Sequence, residues 1–433
     1  MIGCTSFGTP RWSWYPLRAF LTYVGCFLKA TFSYSFSHNL ITRPQMVQQD
    51  LRTQLPALAN KTYFNYGGQG PLPSSSLDAI TAAWRTIQEL GPFTGAVWPF
   101  VEQTTSQLRQ HLASWFGVPA HRLAFSENVT SGCVLPLWGL PWQRGDELLI
   151  SDCEHPGVVA ACRELAHRQG LVLTTLPVAD LRGTADDTNE QVLQRLDRQL
   201  SPATRLVVLS HLLWNTGQVM PIAALAGQLS SHPKHPWLLV DGAQSLGAIP
   251  IEAAAAAADI YGCTGHKWCC GPEGLGAVAL SERVVREARP TLIGWRSLSH
   301  EASGQSEFHT DSRRFEVATS CIPLCAGLEQ SLHLLEAEGT AEERLALIQQ
   351  RSGYLWQGLQ ANPRARTLLE VPPPAGLVSF ELSGEDPERV VKRLGEQGIW
   401  LRSLDDPHCL RACTHITSTE AEIDQLIGAL QTV

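Results

Sequence analysis

No aspartate or glutamate occurs in the first 49 residues; all 41 acidic side chains come after them. That opening block is rich in aromatic residues and serine, carries Arg11, Arg18, Lys29 and Arg43, and has only a weak apolar run at residues 19–28. It lacks a convincing small-residue cleavage site, so it makes a poor targeting peptide. An excess of basic charge is missing as well. With 33 Lys and Arg against 41 Asp and Glu the net charge is −8, which excludes the electrostatic footprint of a nucleic-acid binder. A compact disulfide framework is also missing, because the twelve cysteines are scattered through a long chain in apolar or motif-like settings. That usage points to reduced thiols in a cytoplasmic protein. Cys321/Cys325 and Cys409/Cys413 have C-x3-C spacing, but neither pair has a second ligand pair nearby, so no metal site is expected. The charge-free stretch 206–233 is long enough for a bilayer. Ser210, His211, Asn215, Thr216, Gln218, Pro221 and Gln228 interrupt it, and it reads as strand, turn and helix, with no membrane span.

What is present is a large apolar inventory, 44% of 433 residues, enough for two to three domains with a sizeable core. Apolar runs at 123–125, 147–150, 172–176, 206–209, 238–240 and 277–280 read as strands. Helical stretches such as 158–168 and 190–200 lie between them, the alternation that a mainly parallel α/β sheet requires. After Pro372-Pro373-Pro374 come a strand at 378–382 and helices at 387–397 and 419–430, a small α+β C-terminal domain. One long helix over 324–359 is expected to join the two parts. The expected division is a large domain at 46–325, its first ~20 residues packing with the small domain, and a linking helix with the small domain at 326–433.

Two strand ends carry the chemistry. The run Trp237-Leu238-Leu239-Val240 leads straight into Asp241 and Gly242, and Lys267, 26 residues after Asp241, sits in Thr264-Gly265-His266-Lys267-Trp268 after the strand-like run 259–263. In open α/β sheets ligands collect at the carboxyl ends of strands. An amine and a carboxylate there suit pyridoxal phosphate, which needs a lysine for its aldehyde and an acid to keep its pyridine nitrogen protonated. The VDGAQS segment followed by TGHKW resembles the class V aminotransferase group of fold-type I pyridoxal phosphate enzymes. That group includes cysteine desulfurases, isopenicillin N epimerase-like proteins and cysteine/cystine C-S lyases. The similarity spans roughly residues 60–427 and begins soon after Met46. Residues 1–45 are therefore read as a disordered extension or, in preference, an over-long translation start with Met46 the initiator.

The resemblance implies a fold-type I pyridoxal phosphate-dependent transferase architecture and assigns residues. Lys267 is the Schiff-base lysine and Asp241 the partner of the pyridine nitrogen. His155, in Asp152-Cys153-Glu154-His155-Pro156, stacks on the ring and serves as acid or base. Gln244 bonds the phenolic oxygen. The segment Ser126-Glu127-Asn128-Val129-Thr130-Ser131-Gly132 would by itself be an ordinary helix cap. In this context it resembles the phosphate-binding turn, with Thr130 and Ser131 at the hydroxyl positions and Thr264 and His266 as further phosphate contacts. Arg411 clamps the substrate carboxylate, a task suited to a planar guanidinium. Thr319 reaches the phosphate of a neighbouring subunit, which implies a homodimer.

Two departures from the desulfurases set the expected reaction. Those enzymes carry a nucleophilic cysteine on a mobile loop upstream of the carboxylate-binding arginine; here the stretch 398–408 is short and has none. Leu212-Leu213-Trp214-Asn215-Thr216-Gly217 and Tyr63-Phe64-Asn65-Tyr66-Gly67-Gly68-Gln69-Gly70 instead resemble segments of the C-S lyases, which makes Trp214 and Asn215 candidate substrate-wall residues. Without an acceptor thiol, cleavage of cystine or cysteine is expected to end as β-elimination, giving pyruvate, ammonia and a persulfide or sulfide. Cystine ranks first because the lower-pKa persulfide leaves more readily. The sulfur would pass to an acceptor such as an Fe-S assembly protein or a small thiol. The alternatives are a cysteine desulfurase that releases alanine and an isopenicillin N epimerase-like enzyme.

Overall fold

A seven-stranded sheet organises the molecule, in the order 123–126, 276–280, 260–264, 237–241, 204–210, 147–151, 172–176. The computed structural model describes residues 50–300 and 307–432. The reading of residues 1–45 lies outside the described residues. Strands 147–151, 172–176, 204–210, 237–241 and 260–264 pair in parallel, and Gly276–Leu280 runs antiparallel to both its neighbours. Central strands of such a sheet are covered on both faces, so they read as continuous apolar runs; every residue of Trp237–Asp241 is buried. The alternation of side chains sorts them into two cores. Leu149, Val207, Leu209, Leu238 and Val240 face one core, while Leu148, Ile150, Leu206, Val208, Trp237 and Leu239 face the other.

Expected strands fall where the apolar runs place them, with ends moved by one or two residues. The helix expected at 190–200 begins earlier, at Ala185–Gln199, because the Thr184 side chain caps it by accepting from the Asp187 amide. The charge-free stretch is strand Thr204–Ser210, a turn, and helix Ile222–Ser230. Among the described residues no helix is long and apolar enough to cross a membrane.

The single linking helix expected over 324–359 is two helices, Pro323–Ala337 and Ala341–Gln360. Gly339 adopts φ +121°, and Thr340 starts the second helix with a reciprocal capping box to Glu343. A glycine stop followed by T-x-x-E is a restart signal that overrides a continuous apolar pattern. The first of these helices packs on Ser74–Leu90, where a Cβ at Gly327 would lie 2.4 Å from Ile80 and Ser76 Oγ meets Ser331 Oγ at 2.8 Å.

A second, four-stranded antiparallel sheet follows, in the order 365–367, 377–382, 408–413, 402–405. Its apolar cluster includes Val378, Phe380, Leu394, Leu410 and Leu426 together with Phe64 from the start of the described chain. Thr62 and Tyr63 pair in parallel with Ile399 and Trp400, and Arg52 makes a two-pronged ion pair with Glu422. Residues 52–64 are thereby tied to the C-terminal segment.

Candidate active site

A cavity of about 270 Å³ opens where strands of the large sheet end. Asp241 is the last residue of its strand, Ser210 the last of the neighbouring one, and His266 and Lys267 follow the strand that ends at Thr264. His155 caps helix Pro156–Gln169, its Nδ1 accepting from the Gly157 amide at 3.2 Å. Asn128 caps helix Val129–Trp138, so Asn128, Val129 and Thr130 bring a helix start, with its positive end, to the cavity wall. From the other side Gly67, Gly68, Trp214, Arg402 and Arg411 complete the lining.

Electrostatics around Lys267 favour a reactive amine. Burial lowers its pKa to about 8; Asp241 opposes this, and Arg411 and Arg402 reinforce it. Burial likewise lowers His155 and His266, and the nearby Lys267 charge adds to both shifts. Both imidazoles therefore favour the neutral form. Asp241 is 4% exposed, and one carboxylate oxygen accepts from the Ala243 amide at 2.8 Å. Gln244 is fixed between two partners, donating to Gly67 O and accepting from Trp268 Nε1, each at 2.9 Å. The entry of the loop at Gly67 is itself constrained: a Cβ there would lie 2.9 Å from Gln244 Oε1 and 3.1 Å from Arg411 Nη2. Gly70 ties the same loop to the lysine motif by donating to His266 O at 2.8 Å.

Arg411 is 1% exposed, and its Nη1 donates to Trp214 O at 2.7 Å. Its Nε and Nη2 have no hydrogen-bond partner, and neither has Trp214 Nε1. A buried guanidinium with an unused edge fits a bidentate carboxylate, since leaving such donors unsatisfied is costly. The residues therefore fit pyridoxal phosphate together with an amino acid. A helix start with a hydroxyl and an imidazole, the amine of Lys267, the carboxylate of Asp241 and the guanidinium of Arg411 are the chemical types that a phosphate, an aldehyde, a ring nitrogen and an amino acid's carboxylate call for.

Of the residues singled out in the sequence, Lys267, Asp241, His155, Gln244, Thr130, His266, Trp214 and Arg411 line one cavity. Thr264 stands behind it, its hydroxyl 2.7 Å from His266 Nδ1. Ser131 and Asn215 are outside the lining. The Ser131 hydroxyl is engaged with Glu127 and Asn128 in the helix cap, and Asn215 Oδ1 accepts from Thr216 N. Thr319 lies away from the cavity, 3.4 Å from Trp295 Nε1 on an exposed surface. Sequence reasoning overlooked Glu154. It is fully buried, accepts from Ser151 Oγ and from both the amide and hydroxyl of Ser210, and is pushed up to about 7 by burial. Its only sequence signal is an acid beside His155 after an apolar strand.

Around Arg411 the chain forms a tight hairpin. Asp405 pairs with His408, so Asp406 and Pro407 make the whole turn between Arg402–Asp405 and His408–Cys413. Cys409 is fully buried against Leu368, Leu404 and Trp214, and burial pushes its thiol up to about 12. No cysteine lines the cavity among the described residues.

Comparison with known proteins agrees with this geometry. The chain is 44% identical to the cystine C-S lyase C-DES, solved with its reaction product cysteine persulfide; the match covers 87% of this chain and 99% of that one, with a TM-score of 0.83. A C-DES variant with glycine covalently linked to its PLP cofactor matches equally well. Isopenicillin N epimerase of Amycolatopsis lactamdurans is 29% identical over 402 residues, 87% of this chain and 95% of that protein. A probable cysteine desulfurase of Mycolicibacterium paratuberculosis is 28% identical over 322 residues, 73% of this chain; the aligned part spans 45% of that relative's length. The family model described as aminotransferase class-V matches residues 100–426, a span that holds the lysine, the aspartate and the arginine of the cavity, and the chain belongs to that family.

Proposed function

We propose that this protein is a pyridoxal phosphate-dependent carbon–sulfur lyase whose first substrate is cystine, with free cysteine second. Cystine and water give pyruvate, ammonia and cysteine persulfide. When bound, pyridoxal phosphate supplies an electron sink for the charge left at Cα. Asp241 keeps the ring nitrogen protonated, while Thr130, His266 and the helix start hold the phosphate, with Thr264 orienting His266. His155 would stack on the ring as acid or base, and Gln244 would bond the phenolic oxygen. Arg411 binds the substrate carboxylate through Nε and Nη2, which turns Cα toward Lys267. With its pKa lowered to about 8, the Lys267 amine has a neutral fraction at neutral pH that accepts the Cα proton. Trp214 walls the substrate side and restricts water.

The wall of the cavity carries the choice of lyase over desulfurase. Sulfur transfer to the protein needs an accessible thiolate near the β-carbon. The two-residue hairpin turn carries no cysteine, and Cys409 and Cys413 on the following strand are both fully buried, so the leaving sulfur departs with the product. The 44% identity to C-DES supports the same reading. A product assay on cystine tests it: pyruvate with persulfide release is expected. Alanine with a protein-bound persulfide would establish the desulfurase reading, which the Mycolicibacterium relative favours, and return of an epimerised amino acid would establish the epimerase reading.

The released sulfur goes to a small thiol or an Fe-S assembly protein. The ten described cysteines are all unpaired, which supports a reducing, cytoplasmic setting. The working unit is a homodimer in which Thr319 reaches the partner's phosphate. Its support is the location of Thr319 beside Trp295, next to the exposed apolar side chains Phe93, Trp98, Leu292 and Ile293.

A further inference from the structure

Two helices, Val97–Phe116 and Pro323–Ala337, bring together a second cluster of titratable side chains, none of which lines the cavity. His111 lies on helix Val97–Phe116; Glu329, His333 and Glu336 lie on Pro323–Ala337, and the two helices pack together. Glu329 and His333 are four residues apart and share a helix face. One ligand atom each from His111, Glu329 and His333 falls within 4.8 Å of the others.

The His111 ring is the informative member. Its Nε2 lies 2.7 Å from Glu336 Oε1, which also accepts from Trp115 Nε1 at 2.8 Å. Glu336 accepts from Nε2, so Nδ1 is the nitrogen that faces Glu329; burial opposes it, but the two glutamates raise the His111 pKa, and an ion binding there displaces the Nδ1 proton. That Nδ1 is buried and meets Glu329 as an ion contact without a well-aligned hydrogen bond, and Glu329 Oε2 is buried with no hydrogen-bond partner. Nδ1 is only 3.1 Å from Glu329 Oε1, and His333 Nε2 is 3.2 Å from the same oxygen. A tetrahedral centre with nitrogen and oxygen bonds of about 2.05 Å has edges of about 3.3 Å, so two edges already have the right length. The third edge, His111 to His333, is within 4.8 Å, and the 57% exposed His333 side chain has room to turn. A carboxylate holding the far nitrogen of a histidine is the usual support of a metal-ligating imidazole.

The geometry points to a binding site for a divalent late transition-metal ion of the Zn2+ class, ligated by His111 Nδ1, Glu329 and His333 Nε2, with Glu336 orienting the His111 ring. Mixed imidazole and carboxylate ligands in a tetrahedral array select that class over Mg2+ or Ca2+. Three protein ligands leave a fourth position for water, and the ion cross-links the two helices. The competing account is a protonated His111 between two glutamates, an ion-pair cluster with no metal.

Titration of the full-chain holoenzyme with Co2+ tests the site, because a four-coordinate Co2+ ion has a visible ligand-field band. The wild type should develop this band stoichiometrically, and excess Zn2+ should displace it while Mg2+ does not. Glu336→Gln, which loses the support of the His111 ring, should weaken binding on the order of tenfold to a hundredfold. His333→Gln, at an exposed position that the fold tolerates, should weaken it by more. No band in the wild type, or a band whose midpoint is unchanged in His333→Gln, overturns the proposal and leaves the ion-pair cluster.

Discussion

Arg411 is held in place by one hydrogen bond to a backbone carbonyl and keeps two donors in reserve. A lysine there would preserve the charge but not the flat, two-pronged edge. Arg411→Lys is therefore expected to lose a charged hydrogen bond, about 1.5–3 kcal/mol, which reads as roughly a 10- to 150-fold fall in kcat/KM for cystine. An unchanged value would move the carboxylate to Arg402, the other guanidinium in the cavity wall. Lys267 gives a second prediction at this scale. Burial depresses its pKa to about 8, so the amine is protonated below that pH and free above it. Uptake of pyridoxal phosphate by cofactor-free protein should accelerate about tenfold per pH unit below pH 8 and level off above it, since only the neutral amine attacks the aldehyde. Stopped-flow absorbance across pH 6–10 reads this directly; a profile that keeps rising to the ordinary lysine range, about 10.4, would mean that the site does not desolvate the amine.

The hairpin Arg402–Cys413 and the loop at Gly67 both contribute to the cavity wall. One strand of the hairpin carries Arg411 to the cavity and buries Cys409 against Leu404 and Trp214. Cys409→Ser is expected to leave pyruvate formation from cystine nearly intact, because the thiol is buried behind Trp214 and does not line the cavity. Loss of sulfur release in that variant, with wild type yielding alanine, would make Cys409 the sulfur acceptor. These elements also mark how far sequence goes. Strands such as Trp237–Asp241 are legible because a strand buried on both faces is apolar throughout. Asp241 and Lys267 are legible because strand ends deliver side chains to a common edge. The cap networks are not: Ser131 resembles a phosphate ligand in sequence, but its hydroxyl is engaged with Asn128 and Glu127. The break at Gly339 was legible from its T-x-x-E restart and was masked by the apolar run on either side of it. Glu154 was not legible, because its partner Ser210 lies 56 residues away.

At the scale of the whole molecule the question is whether one chain makes a complete site. The cavity lining comes from one chain, and Thr319, assigned by the resemblance to a partner's phosphate, sits beside Trp295 on an exposed face. If two-fold pairing delivers Thr319 to the partner, each site draws its lysine from one subunit and its threonine from the other. Lys267→Ala protomers then have a dead site but can still donate Thr319, and Thr319→Ala protomers keep Lys267 but donate nothing. Each homodimer is impaired. A heterodimer of the two has one site with both groups and one with neither. Unfolding and refolding an equal mixture should therefore recover about a quarter of the wild-type activity per total subunit, from random two-fold pairing alone. Activity no greater than the average of the two parent variants would show that Thr319 serves its own chain or no site at all, and a monomer by sedimentation would remove the shared site altogether.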